Sequence, residues 1–168
     1  HLLLKGYLYI GSICINVLSF VLSILNMNNA NRYINKSILG IFAHPDDETS
    51  SAGCTFTKFA QMGANVTVIT ATRGELGTLG TGDLSVSRKE LPAVRERELS
   101  KVLSLFGANP PILLGYKDQE VELEKTEVIS ERLRDHMKLI QPDVVITFGP
   151  QGISRHSDHI AIHQAALS

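Results

Sequence analysis

Short apolar runs alternate with amphipathic stretches from residue 37 onward. The runs have the length and β-branched content of buried strands, whereas the stretches between them repeat apolar residues at helical spacing. The predicted elements are residues 37–43 (strand), 49–62 (helix), 65–70 (strand), 91–106 (helix), 111–114 (strand), 124–140 (helix), 143–147 (strand) and 159 onward (helix). This alternation predicts an α/β fold, a Rossmann-like doubly wound parallel sheet with helices on both faces.

The order of the strands in such a sheet decides which loops meet. We expect the order 3-2-1-4, in which the first and fourth strands are neighbours at the point where the winding reverses. Ligands bind in α/β sheets at the carboxyl ends of the strands beside that point. The loop after the first strand should therefore face the loop after the fourth strand across a crevice.

The beginning of the chain differs in kind from the rest. Residues 6–25 carry no charge, and as a helix they are long enough to cross a hydrocarbon layer of about 30 Å. A signal peptide and a buried helix of a soluble domain are the alternatives. We interpret residues 1–25 as an apolar N-terminal helix that anchors the chain in a membrane, and the polar, Asn-rich residues 26–36 as a linker.

The charges beside the apolar run predict where the main domain, residues 37–168, lies. Lys5 precedes the run, whereas Arg32 and Lys36 follow it. The positive-inside rule then predicts a single-pass anchor with the main domain in the cytosol. If the run is not inserted in a membrane, we expect a soluble cytoplasmic protein. Because the last predicted helix reaches residue 168 without a stop signal, we also expect this domain to be truncated at its C-terminus.

The composition argues against several classes of function. The formal net charge is −1, so we expect no nucleic-acid partner. The chain has two cysteines, Cys14 and Cys54, which can build neither a disulfide framework nor a Cys-based zinc site. Any metal site must therefore use His, Asp and Glu.

Such residues concentrate directly after the first predicted strand, in the segment AHPDDE at residues 43–48. A neutral imidazole with a carboxylate three residues further on suits zinc or a similar divalent ion. A neighbouring carboxylate that does not bind the metal could act as a base. The alternative is an ordinary acidic first turn of a helix, in which Asp and Glu face unpaired N–H groups.

A second cluster follows the fourth predicted strand. His156 and His159 are three residues apart at a predicted helix start, so they lie on one face about one turn apart, with Asp158 between them. One imidazole can bind a metal while the other stays free beside it. His163 could pair with His159 instead, but we interpret it as a helix residue outside the site.

Together these clusters resemble the motifs of the PIG-L/LmbE-type zinc-dependent de-N-acetylases. The segment TRGE at 72–75 and the Arg-x-x-Glu pattern at 95–98 add to a resemblance that covers residues 37–166. Members remove acetyl from N-acetylglucosamine in glycoconjugates such as N-acetylglucosaminyl-phosphatidylinositol and the mycothiol and bacillithiol precursors. The resemblance implies that residues 37–168 are the catalytic domain of a hydrolase that releases acetate and a free amine. The implied cofactor is Zn²⁺, or another divalent transition metal, and the implied partner is an N-acetylglucosamine-containing small molecule or glycolipid.

The resemblance also implies the roles of individual residues. The implied metal ligands are His44, Asp47 and His159. Asp46 would be the general base. His156 would stabilise the oxyanion or protonate the leaving amine.

Further roles follow from the same resemblance. Asp158 would orient His156, and Arg95 matches a family arginine near the substrate. Ser51 and Glu75 are candidate sugar contacts. Ser157 departs from the family, which often has Pro at that position. Two alternatives stay open: an amidase acting on a related thiol-sugar conjugate, and a non-catalytic, membrane-tethered sugar-binding protein.

Overall fold

Four parallel strands form the centre of the fold in the computed structural model, which describes residues 32–168. Their bounds are β1 (Ser37–Phe42), β2 (Asn65–Thr70), β3 (Ile112–Leu113) and β4 (Val144–Ile146). All pairings are parallel, and the strand order is β3-β2-β1-β4. The predicted doubly wound sheet of order 3-2-1-4 is confirmed.

Helices occupy most of the segments between the strands. Their bounds are α1 (Asp47–Gln61), α2 (Leu91–Phe106), α3 (Thr126–Ile140), α4 (Gly152–Arg155) and α5 (Ser157–Leu167). The helices α1 and α5 were predicted to start at residues 49 and 159, which is two residues too late in each case. At α5 the reason is a cap, because Nδ1 of His156 accepts the backbone N–H of Asp158 at 3.2 Å and so begins the helix earlier.

The central strand β1 is buried at every position, so the sheet must be covered on both faces. Two helix pairs provide this cover, since α1 packs against α2, α3 packs against α5, and both α1 and α5 contact β1. Gly40 allows α1 to approach closely, because a Cβ there would lie 2.7 Å from the Phe56 ring and 2.9 Å from the Phe42 ring. The apolar core therefore fixes the positions of the loops at both ends of β1.

The strand β4 is fixed to β1 by a polar contact at their amino ends. The Asp143 carboxylate accepts hydrogen bonds from Lys36 Nζ at 2.6 Å and from the Ser37 backbone N–H at 2.8 Å. In return, the Asp143 N–H donates to the Ser37 carbonyl at 2.8 Å. These bonds join β1 and β4 at the end of the sheet opposite the carboxyl ends of the strands.

The predicted N-terminal apolar helix at residues 1–25 lies outside the described residues, as does the linker up to residue 31. Residues 32–35 form a turn that leads into β1. Among the helices between residues 32 and 168, none has both the length and the apolar character needed to cross a bilayer. The membrane anchor therefore stays a prediction from the sequence.

Candidate active site

Loops from the carboxyl ends of β1 and β4 bring the two sequence motifs together. Nδ1 of His44, two residues after β1, lies 3.2 Å from Nε2 of His159 in the first turn of α5. The two strands are neighbours because the winding of the sheet reverses between them. The motifs therefore lie in one site, as the strand order predicted.

A carboxylate completes this pair of imidazoles. Asp47 Oδ2 lies 3.5 Å from His44 Nδ1, and Asp47 Oδ1 lies 3.3 Å from His159 Nε2. A tetrahedral zinc ion with bonds of about 2.0–2.1 Å separates its ligand atoms by roughly 3.3–3.4 Å. Two imidazole nitrogens and one carboxylate oxygen are also a donor set found in catalytic zinc sites. Both the spacing and the chemistry of this triad fit a divalent metal ion.

Asp47 reaches the triad because of the way in which α1 begins. Its Oδ2 accepts the His44 backbone N–H at 2.8 Å and so closes the turn after β1. Within that turn the Asp46 backbone is left-handed, with φ 113°. The two adjacent carboxylates consequently have different surroundings, since the Asp47 side chain is 11% exposed and the Asp46 side chain is 66% exposed.

The outer nitrogen of His44 faces two more carboxylates. His44 Nε2 lies 3.0 Å from Asp158 Oδ2 and 3.1 Å from Asp118 Oδ1. Asp158 is fully buried, and its carboxylate also accepts the backbone N–H groups of Gln119 at 2.8 Å and Val121 at 3.1 Å. A carboxylate on the outer nitrogen of a ligand histidine fixes its tautomer and its ring orientation.

We expected Asp158 to orient His156, and the two residues are in contact through the Asp158 backbone rather than through its side chain. The Asp158 carboxylate binds His44, and only the Asp158 backbone N–H contacts His156. The reason is burial, because a buried carboxylate needs several donors, and His44 and two backbone N–H groups provide them. The Asp158 carboxylate therefore orients His44, while the Asp158 backbone N–H contacts His156.

The same contacts determine the charge states at the site. Burial alone would lower the pKa of His44, but hydrogen bonds to Asp158 and Asp47 and the charges of Asp47 and Asp118 raise it to about 10. Burial of Asp158 opposes its ionisation, yet its bonds from His44 and the Gln119 N–H lower its pKa overall. Burial lowers the pKa of His159, which favours the neutral imidazole that a metal requires.

His159 is fixed in place by the short helix before it. Its Nδ1 donates to the Gly152 carbonyl at 3.0 Å, and its ring stacks on Phe148 at a centroid distance of 4.1 Å. Gly152 is required here, because its φ is +60° and a Cβ would lie 2.8 Å from the His159 Cβ. His163 contacts the Phe148 carbonyl at 2.7 Å through Nδ1, which agrees with its interpretation as a residue outside the site.

His156 lies beside both imidazoles of the triad, with ring centroids 4.7 Å from His44 and 4.8 Å from His159. Its Nδ1 accepts the Asp158 N–H as the cap of α5. A neutral His156 must then carry its proton on Nε2. Since His156 lines the cleft described below, that N–H is a hydrogen-bond donor for a bound molecule.

Within residues 32–168, two further sets of side chains that include His44 have their ligand-capable atoms within 4.8 Å of one another. One set adds His156 and His159, and the other adds Asp118 and Asp158. In the second set the carboxylates already accept backbone N–H groups, Asp118 Oδ2 from Leu76 at 2.9 Å and Asp158 from residues 119 and 121. Because both carboxylates face His44 Nε2, the nitrogen opposite the one that faces Asp47 and His159, we interpret this second set as support for His44.

Arg95 connects the helix α2 to the turn that precedes α1. Its Nη2 donates to Asp46 Oδ2 at 2.7 Å and also to the Pro45 carbonyl oxygen. Arg95 and Asp46 line the cleft together with the triad. The positively charged Arg95 therefore lies beside Asp46, the acidic residue of segment 43–48 whose side chain is mainly exposed.

A cleft of about 350 Å³ opens over the triad. Its walls are His44, Asp46, Asp47, Gly74, Leu76, Gly77, Thr78, Arg95, Asp118, Gln119, His156 and His159. The two candidate sugar contacts lie elsewhere: Ser51 is exposed on α1, and Glu75 accepts the backbone N–H groups of Asp118 at 3.0 Å and Arg73 at 3.2 Å. Glu75 therefore joins the loops after β2 and β3, and the sugar contacts of Ser51 and Glu75 stay predictions.

Asp118 is the site residue that the sequence did not reveal. It is the first carboxylate after β3, so it lies at the same carboxyl edge of the sheet as the two motifs. Its side chain joins the loop after β2 to His44, through Leu76 N–H and His44 Nε2. Its position after a predicted strand could have indicated a site residue. A single Asp in a polar loop is common, however, so this position alone does not distinguish Asp118 from other loop residues.

The chain is similar in sequence to deacetylases from several bacteria. It is 34% identical over 148 residues to the 1D-myo-inositol 2-acetamido-2-deoxy-alpha-D-glucopyranoside deacetylase of Rhodococcus erythropolis, covering 76% of this chain and 50% of the relative. It is 28% identical over 158 residues to the enzyme of the same name from Kineococcus radiotolerans, covering 79% of this chain and 44% of the relative. The chain thus spans about half the length of these relatives.

A solved structure shows the same likeness. The N,N'-diacetylchitobiose deacetylase of Pyrococcus horikoshii matches with a TM-score of 0.69 and 29% sequence identity, over 90% of this chain and 56% of that one. The family model described as PIG-L, GlcNAc-PI de-N-acetylase, matches residues 39–168, which include every side chain of the triad. By its sequence, fold and site, the chain belongs to the PIG-L family of GlcNAc-PI de-N-acetylases.

Proposed function

We propose that the chain is the catalytic core of a metal-dependent hydrolase that removes the acetyl group from an N-acetylglucosamine moiety of a glycoconjugate. The products are acetate and a free amine. The observation that carries the proposal is the triad of His44, Asp47 and His159, which lines a cleft with its two ring nitrogens 3.2 Å apart and an Asp47 oxygen 3.3 or 3.5 Å from each of them. Membership of the PIG-L family and the deacetylases among its relatives support the reaction class.

The triad would hold Zn²⁺ or another divalent transition metal through His44, Asp47 and His159. When bound, such an ion supplies Lewis acidity that polarises an acyl carbonyl and makes water more acidic. His44 is prepared for this role by Asp158 and Asp118 on its outer nitrogen. His159 is prepared by its bond to the Gly152 carbonyl.

Asp46 is the proposed general base. It lies in the turn after β1, lines the cleft and has a mainly exposed carboxylate, whereas the neighbouring Asp47 faces His44 and His159. Asp46 takes a proton from the water that attacks the acyl carbon. The bond from that carbon to the sugar nitrogen then breaks, and the proton passes to the leaving amine.

His156 is the proposed stabiliser of the acyl oxygen. Its Nε2–H can donate to this oxygen as negative charge develops, because the cap contact with Asp158 leaves the proton on that nitrogen. Arg95, which lines the cleft, is the proposed contact for a sugar or its attached group.

Acetate release tests this proposal directly. The zinc-loaded chain is incubated with N-acetylglucosaminyl-inositol, N-acetylglucosaminyl-malate, diacetylchitobiose and N-acetylglucosaminyl-phosphatidylinositol. At least one should lose about 42 Da, the difference between acetyl and hydrogen, with release of free acetate. Metal-loaded chain that releases acetate from none of the four would contradict the proposal. Cleavage of a larger acyl group from a thiol-sugar conjugate would favour the amidase alternative.

Membrane attachment through residues 6–25 is a separate proposal, and it rests on their uncharged, apolar sequence. An anchored enzyme would favour a lipid-linked sugar as substrate. Flotation of the chain with phosphatidylcholine vesicles, compared with the chain from residue 32 onward, tests it. Equal recovery of both proteins in the vesicle fraction would contradict it.

A further inference from the structure

Glu48 is a buried carboxylate that the proposed reaction does not use. Its side chain is fully buried in the first turn of α1. Its oxygens accept two hydrogen bonds, Oε2 from the Asp46 backbone N–H at 3.0 Å and Oε1 from the Thr49 hydroxyl at 2.5 Å. Among residues 32–168, none of the ion pairs includes Glu48. A buried carboxylate without a cation is costly, so its contact with Asp46 requires an explanation.

The residue that Glu48 contacts has an uncommon backbone conformation. Asp46 has φ 113° and ψ −23°, which few residues other than glycine adopt. Such a conformation persists only where the surroundings fix it. At Asp46 both peptide groups are fixed, the N–H by Glu48 and the carbonyl by the N–H groups of Thr49 at 3.1 Å and Ser50 at 3.0 Å.

This conformation separates the directions of two adjacent carboxylates. Asp47 turns toward His44 and His159, while Asp46 turns toward Arg95 in the cleft. Arg95 contacts the Asp46 carboxylate, whereas the fully buried Glu48 contacts the Asp46 backbone N–H. A substrate group that engages Arg95 would therefore leave the contact with Glu48 in place.

We infer that Glu48 is a positioning residue for Asp46. By accepting the Asp46 N–H, it fixes the left-handed turn that directs the proposed base into the cleft and away from the metal ligands. This inference rests on the proposed function, in which Asp46 takes the proton from the attacking water. It predicts that loss of the acceptor lowers kcat and leaves the metal ligands and the substrate contacts unchanged.

Glu48→Met removes the acceptor and keeps a side chain of similar length. We expect kcat to fall about 10- to 100-fold, as for a small misplacement of a catalytic group, while KM stays within about two-fold and the zinc content is retained. Glu48→Gln keeps an acceptor oxygen and should restore most of the lost rate. Wild-type kcat in Glu48→Met, or a loss of rate that parallels a loss of zinc, would overturn the inference.

Thr49→Val is the matched control. It removes the other hydrogen bond of Glu48 but leaves the contact with Asp46, so kcat should stay within about two-fold of wild type. If Glu48 only stabilised the start of α1, Thr49→Val and Glu48→Met would lower the melting temperature and the rate together. That parallel behaviour would also overturn the inference.

Hydrogen exchange of the Asp46 amide gives a test that does not depend on the folding of Glu48→Met. The amide should be protected in the wild type, Glu48→Gln and Thr49→Val, and exchange at the rate of an open loop amide in the wild type would overturn the inference. Asp46→Asn separates the two proposals. If Asp46→Asn keeps the wild-type rate, the base assignment is wrong, whereas a lost rate there with a normal rate in Glu48→Met overturns only the role of Glu48.

Discussion

Replacement of Asp158 by Asn tests whether the outer nitrogen of His44 needs a charged partner. Asp158 Oδ2 accepts from His44 Nε2 and from the Gln119 N–H, and Oδ1 accepts from the Val121 N–H. The amide of Asn has one acceptor oxygen. It can therefore accept either from His44 and Gln119 or from Val121, but not from both. With that oxygen toward His44, the new NH₂ group faces the Val121 N–H, donor against donor.

The expected loss of stability follows from that mismatch. A hydrogen bond to a charged group contributes about 1.5–3 kcal/mol, and an unsatisfied buried N–H costs a similar amount. The lost hydrogen bond and the unsatisfied N–H describe the same change, so their values are not added. We expect Asp158→Asn to lower the free energy of unfolding of the metal-free chain by about 2–3 kcal/mol. A neutral partner also makes His44 a weaker ligand, and loss of such an outer contact lowers metal affinity by about 10- to 100-fold.

Urea denaturation of the metal-free chain measures the first effect, and zinc competition with a chromogenic chelator measures the second. Asp143→Asn is a suitable control, because it removes a carboxylate at the opposite end of the sheet. It should leave zinc affinity within about two-fold of wild type. Unchanged zinc affinity in folded Asp158→Asn would refute the proposed support of His44.

Three further predictions concern the base, the turn before α5 and the contact between β1 and β4. Asp46→Asn should keep its zinc and lose turnover by at least about 100-fold, whereas His159→Ala should lose both, as checked by metal analysis and acetate release; the opposite pattern would reverse the assigned roles. Gly152→Ala should lower the free energy of unfolding by about 1–3 kcal/mol in urea because of its positive φ; unchanged stability would contradict the close approach to His159. The hydrogen bond from Lys36, helped by that from Ser37, lowers the pKa of Asp143, so its contribution to stability is present at neutral pH and is lost as the pH falls through the folded value. Asp143→Asn should therefore destabilise the chain at neutral pH and not in strong acid, and an equal deficit at both pH values would be inconsistent with this reasoning.

The sequence was sufficient to predict the sheet and the meeting of the two motifs. Strands that alternate with helices have few allowed arrangements, and the reversal of winding places the loops after β1 and β4 side by side. The positions of His44 and His159 follow from that topology alone. Their ring nitrogens are 3.2 Å apart because each histidine begins or follows an element whose position the core fixes.

The partners of these residues could not be predicted in the same way. The carboxylate of Asp158 binds His44 because residues 119 and 121, from the loop after β3, present their N–H groups to it. Asp118 and Glu75 join the loops after β2 and β3. Contacts between two irregular loops have no periodic signal in the sequence, so the sequence predicts neither the roles of Asp118 and Glu75 nor the contact of the Asp158 carboxylate with His44.

The central claim is that His44, Asp47 and His159 bind one metal ion. Anomalous diffraction at the zinc edge, from crystals of the chain grown with Zn²⁺, measures this most directly. We predict a single strong peak within about 2.0–2.2 Å of His44 Nδ1, His159 Nε2 and an Asp47 carboxylate oxygen. A peak on the other side of the His44 ring, between Nε2, Asp118 and Asp158, or no peak in this cleft, would contradict the account.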